Sequence, residues 1–173
     1  MMTADKLQEL QRIAQGEPPM LKVALDGLGD KAAIRKALQV ELEKSLRGKE
    51  SLSDLMGRIS KVTKANAARA ARIAQTEKTR AVNGSRVGRA LEEYLEAYEK
   101  AKAQHRKRPE LPVFQWVHTN LAKEPRHSHI ALSGETRPAG EDFLPGLKYP
   151  GDPDAPASET INCHCYVRRV RRD

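Results

Sequence analysis

Thr160-Ile161-Asn162-Cys163-His164-Cys165-Tyr166-Val167 is the stretch on which the fold turns. With Thr160, Ile161, Tyr166 and Val167 among its eight residues, it reads as a strand. Both cysteines of the chain lie in it, two positions apart. Side chains of an extended segment alternate between two sides, so Cys163 and Cys165 would share one face and His164 would point the other way. Upstream stands Arg126-His127-Ser128-His129, where His127 and His129 have the same spacing and would also share a face if extended. Tyr149-Pro150-Gly151-Asp152-Pro153 lies between the two clusters, and residues 134–158 read mostly as turn and loop.

Working outward, Phe114-Gln115-Trp116-Val117-His118 reads as a second strand. Composition changes at His105. Eight of the ten prolines, the single Trp and both Phe lie beyond it. Before it the chain is helical in pattern. Residues 4–15 carry Leu7, Leu10 and Ile13 on one stripe, stopped by Gly16-Glu17-Pro18-Pro19. Residues 21–28 are ambiguous. Asp30 is a good N-cap for a helix to about Leu46, with Ile34, Leu38, Leu42 and Leu46 (or Val40) on its stripe. Ser51, with Asp54 three residues on, opens the next helix, whose apolar face is Leu52, Leu55, Ile59 and Val62. An Ala-rich helix follows from Ala65, with Asn83-Gly84 expected to break or kink it before the pattern resumes to about Gln104. The expected fold is α+β: a helical N-terminal region followed by a small irregular β-containing core. The corresponding divisions are 1–30, unassigned; 31–104, helical; and 105–173, the core with the His/Cys cluster.

The chain has 173 residues, 39% of them hydrophobic and only 4% aromatic, which suits helices with modest apolar stripes. No run is long and apolar enough to span a membrane, and the first residues lack the basic flank and apolar centre of a secretory signal; the expectation is a soluble, intracellular chain with no membrane partner. The net charge of +8 is spread along the chain, densest at Arg106-Lys107-Arg108 and Arg168-Arg169-Val170-Arg171-Arg172. Such clusters can bind DNA without sequence preference, or can be solvated linker and tail.

His129, Cys163 and Cys165, with His127 and His118 as further candidates, could surround one tetrahedral Zn²⁺. The competing reading is a tight core with two small buried thiols and surface histidines. A disulfide between residues two apart would be strained. A Cys–His nucleophilic pair and a metal-dependent nuclease are the enzyme readings; neither finds its remaining parts in the sequence. Glu77, among Arg69, Arg72, Lys78 and Arg80, reads as an exposed charge pair with Arg80; the sharper alternative is a partly buried Glu77 that ties the helix to the C-terminal part.

Arg69-Ala70-Ala71-Arg72-Ile73-Ala74-Gln75-Thr76-Glu77 resembles the Ala-x-x-Ile-Ala-x-Thr-Glu helix of the phage Mu F-like minor head (head morphogenesis) proteins. Trp116, Arg126 to His129, Phe143, Tyr149 to Pro153 and Asn162-Cys163-His164-Cys165 resemble the C-terminal core of the same family, in the same order, across roughly residues 35–170. The family's Arg-x-x-His falls on Arg126 and His129, leaving His127 variable. Its Asn-Cys-x-Cys falls on Asn162, Cys163 and Cys165, with His164 in place of the usual Arg. The resemblance implies a non-enzymatic minor capsid protein of the virion. It would act in head assembly in the host cytoplasm, in contact with the portal protein, the major capsid protein, or both, near packaged DNA. Thr76, Glu77, Trp116, Arg126 and Asn162 would be its structural core motif. The rival function is a basic, zinc-stabilised nucleic-acid-binding module.

Overall fold

The structure is a computed structural model that describes residues 2–15, 31–48, 51–64 and 66–170. Its elements are α1 (Ala4–Ala14), α2 (Lys31–Gly48), α3 (Leu52–Thr63), α4 (Ala67–Ala103), β1 (Val113–Val117), α5 (His127–Ala131), β2 (Thr136–Pro138), α6 (Ala157–Thr160) and β3 (Tyr166–Val170). The architecture is α+β, with helices first and a small antiparallel sheet of order β2-β1-β3 at the end. No helix among the described residues is long and apolar enough to cross a membrane.

Caps set the helix starts. Thr3, Ser51 and Asn66 each present a side-chain oxygen to a backbone N–H three residues on, satisfying a donor that the helix itself leaves open. The expected cap at Asp30, the stop at residues 16–19, the ambiguous stretch 21–28 and the Leu46 side chain lie outside what is described. Val40, the alternative on the α2 stripe, is 45% exposed.

α4 runs 37 residues without interruption, about 55 Å at the ordinary helical rise. The expected break at Asn83-Gly84 does not occur. Asn83 is 1% exposed, and its amide binds Thr79 O one turn back and three groups of the C-terminal part. Those tertiary bonds offset a helix-propensity cost of roughly 1 kcal/mol at Gly84. α4 belongs to two apolar clusters. Its first turns join α2 and α3 through Leu38, Leu42, Leu55, Ile59 and Ile73. Its later turns join α1 and the sheet through Leu10, Val87, Leu91, Tyr94, Trp116 and Val167. Gly88 lets α1 approach closely: a Cβ there would lie 3.3 Å from Ala14 O. Lys6 donates to Gly140 O and Arg12 pairs with Asp154, so α1 is also tied to the C-terminal loops.

β1 alternates as expected, with Phe114 and Trp116 buried. The strand expected over 160–167 is displaced. Its first residue closes α6, residues 161–165 are non-regular, and β3 begins at Tyr166. Asn162 has φ 55, a left-handed conformation that ends any extended run and that Asn tolerates better than most residues. The short strand β2 has no counterpart in the sequence reading.

Candidate metal centre

Arg126 starts the site. Its guanidinium donates to Ser158 O and, at 2.7 Å, to Ile161 O, fastening the segment before α5 to the loop that carries the cysteines. α5 then presents His129 inward. The extended His-x-His expected from the spacing is corrected here: on a helix, residues two apart point about 200° from each other. His129 is 2% exposed, whereas His127 is exposed and plays no part.

The cysteine loop is held from behind by α4. Thr76 Oγ1 accepts from Asn162 N at 2.9 Å. Gln75 Nε2 and Thr79 Oγ1 both donate to Cys163 O. Asn83 Nδ2 donates to Cys165 O and Pro150 O, and Asn83 Oδ1 accepts from Val167 N at 3.0 Å. One face of α4 therefore fixes the backbone on either side of both cysteines. Glu77, expected to be exposed, is 1% exposed, and its carboxylate accepts from Arg80 Nε at 2.6 Å. Gly151 packs on this same face: a Cβ there would sit 2.7 Å from Arg80 Cα, and φ is already +81°.

With that frame set, the Nδ1 of His129 and the thiols of Cys163 and Cys165 lie within 4.8 Å of one another, a buried group able to hold a metal ion. His129 Nδ1 is 3.6 Å from Cys163 Sγ and 3.7 Å from Cys165 Sγ. A tetrahedral zinc with ordinary bond lengths places N and S ligands about 3.5 Å apart, so these three donors match three corners of such a site in residue type and in their N···S spacing. The other ring nitrogen, Nε2, lies 2.9 Å from Glu159 Oε2. A carboxylate there fixes the proton on Nε2 and leaves the Nδ1 lone pair facing the sulfurs. Trp116 packs edge-on against the imidazole, with centroids 5.0 Å apart, and Phe143 backs Trp116.

The two thiols are unequal without metal. A hydrogen bond from Cys163 holds the Cys165 thiol well below its ordinary range. Cys163 is pushed up by that same bond and by burial. His118, half-buried just past β1, does not join the ligand group. His164 is half-buried, and burial lowers its pKa. Sequence reasoning missed Glu159, Gln75 and Thr79; a lone Glu on a four-residue helix gives no signal until the fold brings it to His129. Comparison with protein-family models, curated proteins and solved structures finds no match for this chain.

Proposed function

We propose that this chain is a non-enzymatic structural protein whose C-terminal core is clasped by Zn²⁺ at His129, Cys163 and Cys165, and that it serves as a phage minor head protein. The observation that carries the clasp is the pair of N···S separations, 3.6 and 3.7 Å, backed by a carboxylate on the far ring nitrogen. Thiolate and imidazole donors suit zinc, which supplies a redox-inert cross-link. His129 comes from α5 and the cysteines from the loop before β3, so the cross-link joins two segments about 35 positions apart, neither of which has much regular structure. Burial of all three donors suits a cross-link better than a substrate-facing site.

Metal analysis of protein purified without chelator is the direct test. About one zinc per chain is expected. Metal-free protein with full stability in chelator would remove the clasp. The head-protein reading rests on the Arg-x-x-His and Asn-Cys-x-Cys resemblance, and on the roles of Arg126, Asn162 and Thr76 in holding one loop. Its partners would be the portal protein, the major capsid protein, or both, and its place the virion. Co-expression with these proteins should bring the chain into portal complexes or capsid shells; shells that form without it and never retain it would end that reading. The rival reading, a zinc-stabilised nucleic-acid-binding module, is favoured by one observation, an arginine-lined groove.

A further inference from the structure

The edge strand β3 and the outer face of α4 enclose a groove of about 440 Å³ lined by Arg86, Arg89, Arg168, Arg169, Glu93 and Tyr166. Four guanidiniums thus meet a single carboxylate. All four arginines are exposed, but they are not loose. Arg86 Nη1 donates to Val167 O at 3.2 Å, and its guanidinium lies 5.5 Å from the centre of the Tyr166 ring. Arg168 Nε donates to Gln115 Oε1 at 2.7 Å. Arg89 Nε reaches Ser85 O. Arg169 pairs with Glu93 at 2.5 Å.

A guanidinium has five N–H donors in a rigid fork, and each of these bonds occupies one, so a pinned arginine still offers a bidentate face. Holding the side chain beforehand lowers the entropy lost when a ligand arrives. The positions also share a side. Arg86 and Arg89 are three apart on a helix and so neighbours on its surface. Arg168 and Arg169 point to opposite faces of β3, yet both border the groove because it runs along the sheet edge.

We infer that this groove binds the phosphodiester backbone of nucleic acid, without base readout, through Arg86, Arg89, Arg168 and Arg169, with the Glu93 carboxylate limiting its affinity. A chain of phosphates matches several forks spaced along one cleft. The inference stands on the groove and not on the head-protein reading, so the two fail in different experiments.

The test is fluorescence anisotropy of the full chain with labelled mixed-sequence single- and double-stranded DNA across a salt series. Binding should weaken linearly in log–log salt, and the Arg89→Ala/Arg168→Ala pair should reduce the slope by about two. The same pair should weaken binding by about tenfold or more, with an unchanged melting curve as the control for folding. Glu93→Gln should do the opposite, tightening binding several-fold and steepening the slope. Replacing Arg106, Lys107 and Arg108 by alanine should leave most of the affinity in place. The inference is overturned by no binding at about 50 mM salt. It is equally overturned by a double variant that binds like the parent, by loss confined to the 106–108 variant, or by preference for an acidic peptide over DNA.

Discussion

Gly151 and Glu159 show how much a single residue carries here. Gly151 has a positive φ and no room for a Cβ beside the Arg80 backbone. Gly151→Ala should therefore destabilise the protein by about 2–4 kcal/mol in chemical denaturation, because strain and overlap act together. A loss below about 0.5 kcal/mol would mean that the loop simply shifts away. Glu159 acts through His129. Glu159→Gln keeps the size but replaces the carboxylate that holds the Nε2 proton. Zinc affinity should fall by about 10- to 100-fold in competition with a chelating dye, as for other groups behind a ligand histidine. Asn162 is legible in the sequence only as part of a motif; its φ of 55 explains the residue type.

At the scale of elements, α4 is the organiser. Gln75, Thr76, Thr79 and Asn83 recur at helical spacing and face the cysteine loop, replacing the sheet pairing that the loop lacks. Asn83→Leu would strip partners from the Val167 amide and from the Pro150 and Cys165 carbonyls. The expected cost is about 3 kcal/mol or more, since buried backbone groups would lose bonds without gaining water. Hydrogen exchange at the Val167 amide should accelerate well beyond that of the α3 amides. Equal acceleration in both places would show that the two apolar clusters unfold as one. Local patterns revealed α1, α3 and β1, whose stripes or alternation and caps agree with one another. They allowed for a break in α4 at Asn83-Gly84 that does not occur, because two poor helix formers are held there by bonds to a distant segment. They also misplaced β3, because two buried cysteines two apart imitate strand alternation on an irregular loop.

At the scale of the molecule, one titrating group reports on the packing of the C-terminal core. Burial, and then the Asp152 carboxylate, push the Tyr149 phenol up. Its folded-state pKa lies above the unfolded value of about 10, so its contribution is fully present below that pH and is lost as pH rises toward the folded value. Cys163, also raised, acts in the same direction in metal-free protein. Stability should therefore decline from about pH 10 upward, and Tyr149→Phe should flatten that decline in the zinc-loaded protein. An identical alkaline decline in the variant would place the sensitive group elsewhere.

By itself the sequence determined the α+β class, the helical first part, the turn-rich core and the set of metal-binding residue types, because periodicity, caps and turn residues act over a few positions. Only the tertiary structure decided which residues meet. Helix α5 turned His129 inward and His127 outward, and Glu77 became buried. Glu159 came within 2.9 Å of His129 across 30 positions. Four arginines from two elements came to line one groove. Such meetings depend on how distant segments pack on α4, and a one-dimensional pattern carries no term for that.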